Sequence, residues 1–205
     1  MNTHNKKIII FDFDGTIIKT DSFILMINLL QEKSWLNKLI LSILFQIYKK
    51  NMLSNFAFKY LVFWFSRIRL HHLNEIATSV AKKIQAEGLI NQIIIKEMEI
   101  EIKNQSYIII ITASPSLLVK KILETLFPHI YPELHILGTE LKIKNGVING
   151  IIFNCFKKNK VKCLLKIGIK AADRLYFDSE DDIEIAKLVK EAYRVNMQGD
   201  VTRWK

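Results

Sequence analysis

The 205-residue sequence has few residues that interrupt or cross-link a chain: 3 Pro, 7 Gly and 2 Cys. Because long polar or repetitive tracts are also missing, we exclude a repeat array and a disordered linker and expect the whole chain to fold. Cys155 and Cys163 lack both the spacing of a metal site and the density of a disulfide scaffold, which favours a reducing, cytoplasmic location. The first seven residues are polar and lead straight into an apolar run, so we expect no signal peptide.

Acidic residues are scarce relative to basic ones. Twenty Asp and Glu against 30 Lys and Arg give a formal net charge of +10. This surplus favours an anionic partner, such as a phosphorylated substrate, an acidic membrane surface or a nucleic acid, and charge alone does not choose among them. The length suits one domain with a sizeable core, or one core domain with a modest insertion.

The sequence does contain short apolar runs that end in polar residues, as buried parallel strands do. These runs lie at residues 7–13, 107–111, 174–177 and 192–196. Helical patterns accompany them at residues 115–127, 158–167 and 181–190. Because strands alternate with helices, we predict an α/β fold with a Rossmann-like, doubly wound parallel sheet.

Two segments depart from this alternation. Between residues 20 and 105 the strand pattern gives way to helical sequence without Pro and with Gly88 as its only Gly. We therefore predict a helical cap at residues 21–105, inserted into a core formed by residues 1–20 and 106–205. Residues 136–153 suit a hairpin with a tight reversal at Asn145 and Gly146, which we place as a small β extension beside the core sheet.

Carboxylates follow two of the predicted strands. Asp12 and Asp14 end the first run, and Asp178 and Asp182 follow the third. Ligands bind outside the carboxyl ends of strands in an open parallel sheet, so we expect these side chains to converge. A carboxylate attacks phosphate poorly unless a hard cation held by oxygen ligands neutralises the phosphate charge. The pattern therefore predicts magnesium-assisted phosphoryl transfer.

Two further side chains would complete such a site. Thr112 offers a hydroxyl and nearby backbone amides at the start of a helix, whose N-terminus attracts anions. Lys160 opens a later helix and could bring positive charge to phosphate oxygens and to Asp12. A lone Asp-x-Asp is more often a turn, and a lysine-rich segment such as 157–162 is more often a solvated face. The prediction therefore rests on the combination of these groups.

Four segments together resemble the motifs of the haloacid dehalogenase superfamily, in order and over the whole chain. Residues 12–16 resemble the first motif and residues 108–112 the second. Lys160 resembles the third, and residues 178–182 resemble the fourth, in which an Asp is followed four positions later by another Asp. The resemblance implies the superfamily core with a cap of the C1 type.

The resemblance also implies a role for each side chain. Asp12 would be the nucleophile that forms an aspartyl-phosphate, and Asp14 would protonate the leaving group and then activate water. Mg²⁺ would be held by Asp12, the main-chain carbonyl of Asp14 and Asp178, with Asp182 close behind. The phosphate would be bound by Gly15, Thr112 and Lys160.

Residues 112–115 and 153–160 are more specifically similar to the subgroup that contains phosphoserine phosphatase, whose helical cap also lies between the first two motifs. Two glycines usual in that pattern are missing. Phe177 stands where a Gly usually precedes the fourth motif, and no Gly lies near Lys157. The first departure affects the conformation of the loop, and the second affects how the backbone approaches the phosphate. Neither departure removes a catalytic group.

Substrate choice is expected to depend on the cap. Asp21 is either the acidic residue that meets a substrate amine or the N-cap of the first cap helix, and Ser114 is a second candidate substrate contact.

Residues 35–48 and 56–68 are apolar almost all round, but a lysine at the bilayer centre costs roughly 2.5 to 3.5 kcal/mol. We therefore expect these helices to lie in the membrane interface, or else to pack together as a bundle core. The interrupting lysines are Lys38, Lys49, Lys50 and Lys59.

We therefore expect a Mg²⁺-dependent phosphomonoester hydrolase that acts on a lipid headgroup phosphate such as phosphatidylglycerophosphate, as the similar phosphatidylglycerophosphatase C enzymes do. It would be cytoplasmic and peripheral on the inner face of the cell membrane, with no nucleic-acid partner. Two alternatives stay open: a cytosolic phosphatase for phosphoserine or another small metabolite, and a noncatalytic membrane-binding protein with the same fold. A phosphotransferase with the same catalytic groups is a further possibility.

Overall fold

A computed structural model describes residues 6–32 and 35–205. Most of the polar N-terminal segment, on which the expectation about a signal peptide depends, lies outside the described residues. Within the described ranges the chain forms seven strands and eight helices. The strands are β1 (Ile8–Asp12), β2 (Tyr107–Pro115), β3 (Leu134–Lys144), β4 (Val147–Phe153), β5 (Ala172–Phe177), β6 (Val189–Val195) and β7 (Val201–Arg203). The helices are α1 (Ser22–Glu32), α2 (Trp35–Lys49), α3 (Asn55–Ser66), α4 (Leu70–Ala86), α5 (Gln92–Lys103), α6 (Ser116–Leu126), α7 (Lys158–Lys166) and α8 (Ile183–Ala186).

All seven strands belong to one sheet in the order β4-β3-β2-β1-β5-β6-β7. The central strands pair in parallel, whereas β4 and β7 run antiparallel to their neighbours. On β1, Ile10 lies between Ile109 of β2 and Leu175 of β5. Asp12 therefore ends the central strand at the carboxyl edge of the sheet, level with Ile111. The predicted α/β fold with a mostly parallel sheet is confirmed.

The central strands are apolar at successive positions because helices cover both faces of the sheet. Ile9 and Phe11 of β1 belong to one core, which the sheet shares with α1 to α6. Ile10 points into a second core beneath α7 and α8, which also holds the free thiols of Cys155 and Cys163. Within the predicted cap, α4 packs on α6 and α5 on β2, and the boundary at residue 105 stays a prediction. None of the described helices is long and apolar enough to cross a bilayer.

The predicted hairpin is confirmed, and it grows out of the core sheet. The first half of β3 pairs in parallel with β2, and the second half turns back through β4. Asn145 and Gly146 have φ of 52° and 74°, as a type I′ turn requires. The start of β3 was not predicted as a core strand because its residues alternate in polarity and resemble the hairpin that follows.

The helix predicted at residues 181–190 is wrong in extent. A 3₁₀ turn covers Glu180–Asp182, α8 ends at Ala186, and β6 already begins at Val189. Within a few residues, the apolar side chains of this region belong first to a helix and then to a strand. A short buried helix cannot be separated from a following buried strand by periodicity alone.

Lys157 precedes α7 and has φ of 51° and ψ of −129°. In this region the β-carbon of an L residue crowds its own backbone, and such conformations cost about 1 to 3 kcal/mol. The missing glycine near this position therefore has a structural consequence, because a lysine adopts a conformation that favours Gly. The strain lies three residues before Lys160.

We expect Lys157→Gly to raise the free energy of unfolding by about 1 kcal/mol. Relief of about 1 to 3 kcal/mol of strain exceeds the roughly 0.5 to 1 kcal/mol that Gly costs through the entropy of the unfolded chain. Urea unfolding followed by circular dichroism measures the change. Lys158→Gly, within α7, is the matched control and should lower stability. Equal destabilisation by both variants would contradict the assignment of strain to Lys157.

Candidate active site

Three carboxylates and one lysine meet at the carboxyl edge of the sheet. Asp12 ends β1, Asp178 follows β5, and Asp182 closes the turn after it. One oxygen from each carboxylate lies within 4.8 Å of the others. From the first turn of α7, Lys160 Nζ reaches to 2.7 Å from Asp12 Oδ1 and 2.6 Å from Asp182 Oδ1. Lys158 is exposed, so the structure places Lys160 beside the carboxylates.

This cluster is short of positive charge. Burial raises the pKa of Asp12 well above its usual range, Asp182 and Asp178 raise it further, and Lys160 opposes them. Burial also raises the pKa of Asp178, with a contribution from Asp182. Burial lowers the pKa of Lys160, but Asp12 and Asp182 together raise it above its ordinary value. Oδ2 of the buried Asp182 has no hydrogen-bond partner among the described residues. The oxygen-rich cluster therefore fits a hard divalent cation such as Mg²⁺.

Gly15 makes room for this cluster. Its φ is 77°, and a β-carbon at this position would overlap the carboxylate of Asp178. Only a residue without a side chain lets the loop after β1 approach Asp178 so closely. The predicted contact of Gly15 with phosphate stays a prediction.

Asp14 is held by three donors from two parts of the chain. Its Oδ1 accepts from the Ser22 N–H at 2.7 Å, at the start of α1. Its Oδ2 accepts from Ser114 Oγ at 2.6 Å and from Thr112 Oγ1 at 3.3 Å, at the end of β2. Thr112 Oγ1 in turn accepts from the Ser114 N–H at 3.0 Å. Both predicted hydroxyl residues therefore orient the carboxylate of Asp14.

Asp21 caps α1 and also lines the cavity above the carboxylates. Its Oδ1 accepts from the Ile24 N–H at 2.9 Å, which is the hydrogen bond of an N-cap. The cavity is about 230 Å³ and lies between the helices and the strand ends. Its wall includes Asp12, Asp14, Asp21, Phe23, Ile24, Tyr48, Asn55, Phe58, Lys59, Ala113, Ser114, Phe156, Lys160, Asp178, Ser179, Asp181 and Asp182. Both interpretations of Asp21 thus have a structural basis.

Lys59 of α3 is a site residue that the sequence interpretation missed. It is only 4% exposed, and Nζ donates to the Ala113 carbonyl at 2.6 Å and to Asn154 Oδ1 at 3.4 Å. If α3 lay in the membrane interface, Lys59 would be expected to extend toward the headgroups, but packing of α3 turns this side chain toward the end of β2. One signal was available: Asn55 and Lys59 are one turn apart in an otherwise apolar helix.

The charge on Lys59 is held at a cost in stability. Burial lowers its pKa to about 8, although Asp21 and Asp14 counteract the shift. The pKa of Lys59 in the folded protein lies below its ordinary value of 10.5. The loss of folding stability is therefore fully present below pH 8 and disappears as pH rises toward 10.5. A buried lysine kept under these conditions is typical of a functional site.

We therefore expect Lys59→Met to raise the free energy of unfolding at pH 7 by about 2 kcal/mol, after allowance for two lost hydrogen bonds. The advantage over the native chain should shrink as pH rises through 8. Urea titrations at pH 7, 8 and 9.5 measure both effects. Lys50→Met, at an exposed position of the same helical region, should change stability by less than about 0.5 kcal/mol at each pH. A less stable Lys59→Met variant would show that the hydrogen bonds outweigh the cost of burial.

Comparison with known proteins gives one family and several fold neighbours. The haloacid dehalogenase-like hydrolase family matches residues 9–187, which is most of the chain. A protein of unknown function from Bordetella pertussis Tohama I has a similar structure, with a TM-score of 0.76, 16% identity and coverage of 91% of this chain and 88% of its own.

Two further solved structures share the fold. The phosphoserine phosphohydrolase-like protein from Francisella tularensis subsp. tularensis SCHU S4 has a TM-score of 0.54 and 16% identity, over 91% of this chain and 85% of its own. Cytosolic 5'-nucleotidase IIIB, solved with cytidine, has a TM-score of 0.65 and 14% identity, over 93% of this chain and 72% of its own. No curated protein matches the sequence. At these identities the structural similarities establish the fold alone.

Proposed function

Because the chain belongs to the haloacid dehalogenase-like hydrolase family, we propose that it is a phosphatase that transfers phosphate first to Asp12 and then to water. The observation that carries this proposal is the 2.7 Å contact of Lys160 with Asp12 inside a cluster of three carboxylates. A carboxylate at the end of the central strand, paired with a buried lysine, is placed to receive a phosphoryl group. In this proposal residues 21–105 act as a cap over the core.

Each polar group then has a chemical task. A carboxylate oxygen of Asp12 attacks phosphorus while the bond to the leaving oxygen breaks, and Asp14 gives that oxygen a proton. Asp14 then takes a proton from the water that attacks the aspartyl-phosphate. Lys160 and the end of β2 at Thr112 offset the charge on the phosphate oxygens.

A divalent cation completes this set. The candidates to hold Mg²⁺ are Asp12, the main-chain carbonyl of Asp14 and Asp178, with Asp182 beside them. When bound, Mg²⁺ supplies charge neutralisation at the phosphate oxygens, which lets one carboxylate approach another anion. Oδ2 of Asp182, which has no hydrogen-bond partner in the described part of the chain, and the raised pKa of Asp12 and Asp178 support this assignment.

We expect Asp12→Asn to lower phosphate release by at least about 10³-fold, because the variant has no nucleophile. The assay is phosphate release from p-nitrophenyl phosphate and a panel of phosphomonoesters with Mg²⁺, and chelation of divalent cations should also stop the native enzyme. Asp181→Asn is the matched control, since Asp181 lines the same cavity outside the carboxylate cluster. It should keep most of the activity.

Two results would count against this mechanism. Retained turnover in Asp12→Asn, with an unchanged circular dichroism spectrum, would move the nucleophile to another residue. No phosphate release by the native protein from the whole panel would favour the noncatalytic alternative. p-Nitrophenol release that exceeds phosphate release when an alcohol is added as acceptor would instead identify a phosphotransferase, because the aspartyl-phosphate then passes its phosphoryl group to the alcohol.

For the substrate, we propose a lipid headgroup phosphate such as phosphatidylglycerophosphate, hydrolysed at the cytoplasmic face of a membrane. The cavity combines the polar catalytic groups with Phe23, Ile24, Phe58 and Phe156, and it is too small for acyl chains. A specific observation favours the small-metabolite alternative. Asp21 and Lys59 bring opposite charges to the same cavity, which suits a zwitterionic leaving group such as an amino acid.

A direct comparison of substrates separates these two candidates. We expect kcat/KM for phosphatidylglycerophosphate in mixed micelles to exceed that for phosphoserine by more than about 10-fold, because a membrane-bound enzyme meets its substrate at high local concentration. Phosphate release from both compounds, measured with the same enzyme preparation, gives the ratio. A preference for phosphoserine would assign the enzyme to small-metabolite chemistry. The catalytic mechanism would then stand and the lipid substrate would not.

A further inference from the structure

The positive charge of the chain is concentrated in one part of the helical region. Residues 33–74 contain seven Lys and Arg side chains and no Asp or Glu, so most of the net charge of +10 falls in about a fifth of the chain. Lys59 is turned into the cavity and is unavailable to a partner. The exposed cations among the described residues of this segment are Lys38, Lys49, Lys50, Arg67 and Arg69.

The same segment exposes an apolar helix face. Trp35, Leu36, Leu39 and Ile43 of α2 are 78%, 49%, 52% and 51% exposed. Side chains one turn apart share a side of a helix, so these four form one stripe, called here the outer face of α2. The opposite side of α2 is buried through residues that include Leu41.

We propose that the outer face of α2 docks on the interface of an anionic lipid bilayer. Trp and aliphatic side chains can enter the boundary between headgroups and acyl chains, while neighbouring lysines attract anionic headgroups. The inference builds on the proposed function, because it names the surface on which that enzyme would meet a lipid substrate. The two can still fail separately.

Other occupants fit the outer face less well. A second copy of the chain would bring two acid-free, basic segments against each other, and like charges repel across an interface. A nucleic acid would use the cations but would leave an aliphatic stripe without a partner, since its affinity comes mostly from phosphate contacts. An anionic bilayer satisfies both the charge and the apolar surface.

Docking through α2 also connects the membrane to the catalytic cavity. Tyr48 extends from the inner side of α2, lines the cavity, and stacks on Phe58 of α3 at 4.3 Å between ring centroids. Asn55 at the start of α3 lines the same cavity and donates to the Tyr48 hydroxyl at 3.2 Å. One helix therefore has an apolar outer face and an inner face that forms part of the site.

Vesicle sedimentation tests the proposal, with vesicles of equal phosphatidylcholine and phosphatidylglycerol compared with vesicles of phosphatidylcholine alone. We expect the native protein to pellet with the anionic vesicles at low salt and to be released as ionic strength rises. The double variant Leu39→Glu/Ile43→Glu should lose at least about 30-fold in partition coefficient. Its matched control is Ile93→Glu/Ile100→Glu, which adds the same charge at two exposed isoleucines of α5 and should bind as the native protein does apart from a small loss from net charge.

A second pair of variants tests the cations. Lys49→Gln/Lys50→Gln should lose about 30-fold in partition coefficient, since each lysine near an anionic surface contributes about 1 kcal/mol. Lys82→Gln/Lys83→Gln on α4 removes the same charge elsewhere and should lose clearly less.

Several outcomes would overturn docking through α2. They are a native protein that stays in the supernatant at low salt, equal loss of binding in a test variant and its control, or binding to duplex DNA in preference to anionic vesicles. A shift from dimer to monomer in Leu39→Glu/Ile43→Glu, without native vesicle binding, would instead assign the outer face to a second copy. Hydrolysis of p-nitrophenyl phosphate by the same samples separates the two proposals. Full activity without vesicle binding would contradict the docking proposal alone. Vesicle binding without activity would contradict the proposed phosphatase function alone.

Discussion

The ion pairs of Lys160 with Asp12 and Asp182 constrain the rest of the site. Each of these groups is almost fully buried, and an unpaired buried charge costs several kcal/mol, so the end of β1, the turn after β5 and the first turn of α7 must meet within hydrogen-bonding distance. The backbone conformation of Lys157 and the lack of a β-carbon at Gly15 both allow these segments to come together. One turns the chain into α7, and the other admits Asp178. A single lysine cannot neutralise three carboxylates, so the same constraint that assembles the cluster also leaves it suited to a divalent cation.

The sequence predicted the fold and most members of this cluster because both depend on a general property of parallel sheets. Strands covered on both faces are apolar throughout, and their polar residues gather where the strands end. Asp12, Asp178 and Thr112 could be placed in this way without knowledge of how any helix packs. The prediction of Lys160 required further information, because its neighbours are also lysines. Only the resemblance to known motifs separated it from Lys158. Its burial follows from the helical period of α7, which turns Lys160 inward with Leu164 one turn later.

Lys59 shows why the remainder could not be predicted. A lysine in an apolar helix can extend to solvent, reach toward headgroups or point into a polar cavity, and these outcomes differ only in how the helix is rotated against its neighbours. That rotation depends on packing between residues of different helices, such as Tyr48 against Phe58. It therefore cannot be predicted from the local sequence. The extent of α8 was predicted wrongly for a related reason, because buried helix and buried strand have the same composition there. Boundaries and side-chain direction are thus the features that tertiary packing decides.

The placement of α2 links the size of the cavity to the proposed substrate. A cavity of about 230 Å³ has room for a phosphorylated headgroup, whereas the acyl chains of a lipid would have to remain in the bilayer. A lipid could therefore react only if the cavity opened near the membrane surface, and an enzyme whose site faced away would need to extract the whole molecule. A helix with its side chains is about 10 Å across. Since Tyr48 on the inner side of α2 lines the cavity, docking through the outer face of α2 would bring the site within about one helix diameter of the headgroups. That distance matches a headgroup that enters the site while its acyl chains stay in the membrane. In this proposal lipid specificity and docking would both depend on a single helix, α2.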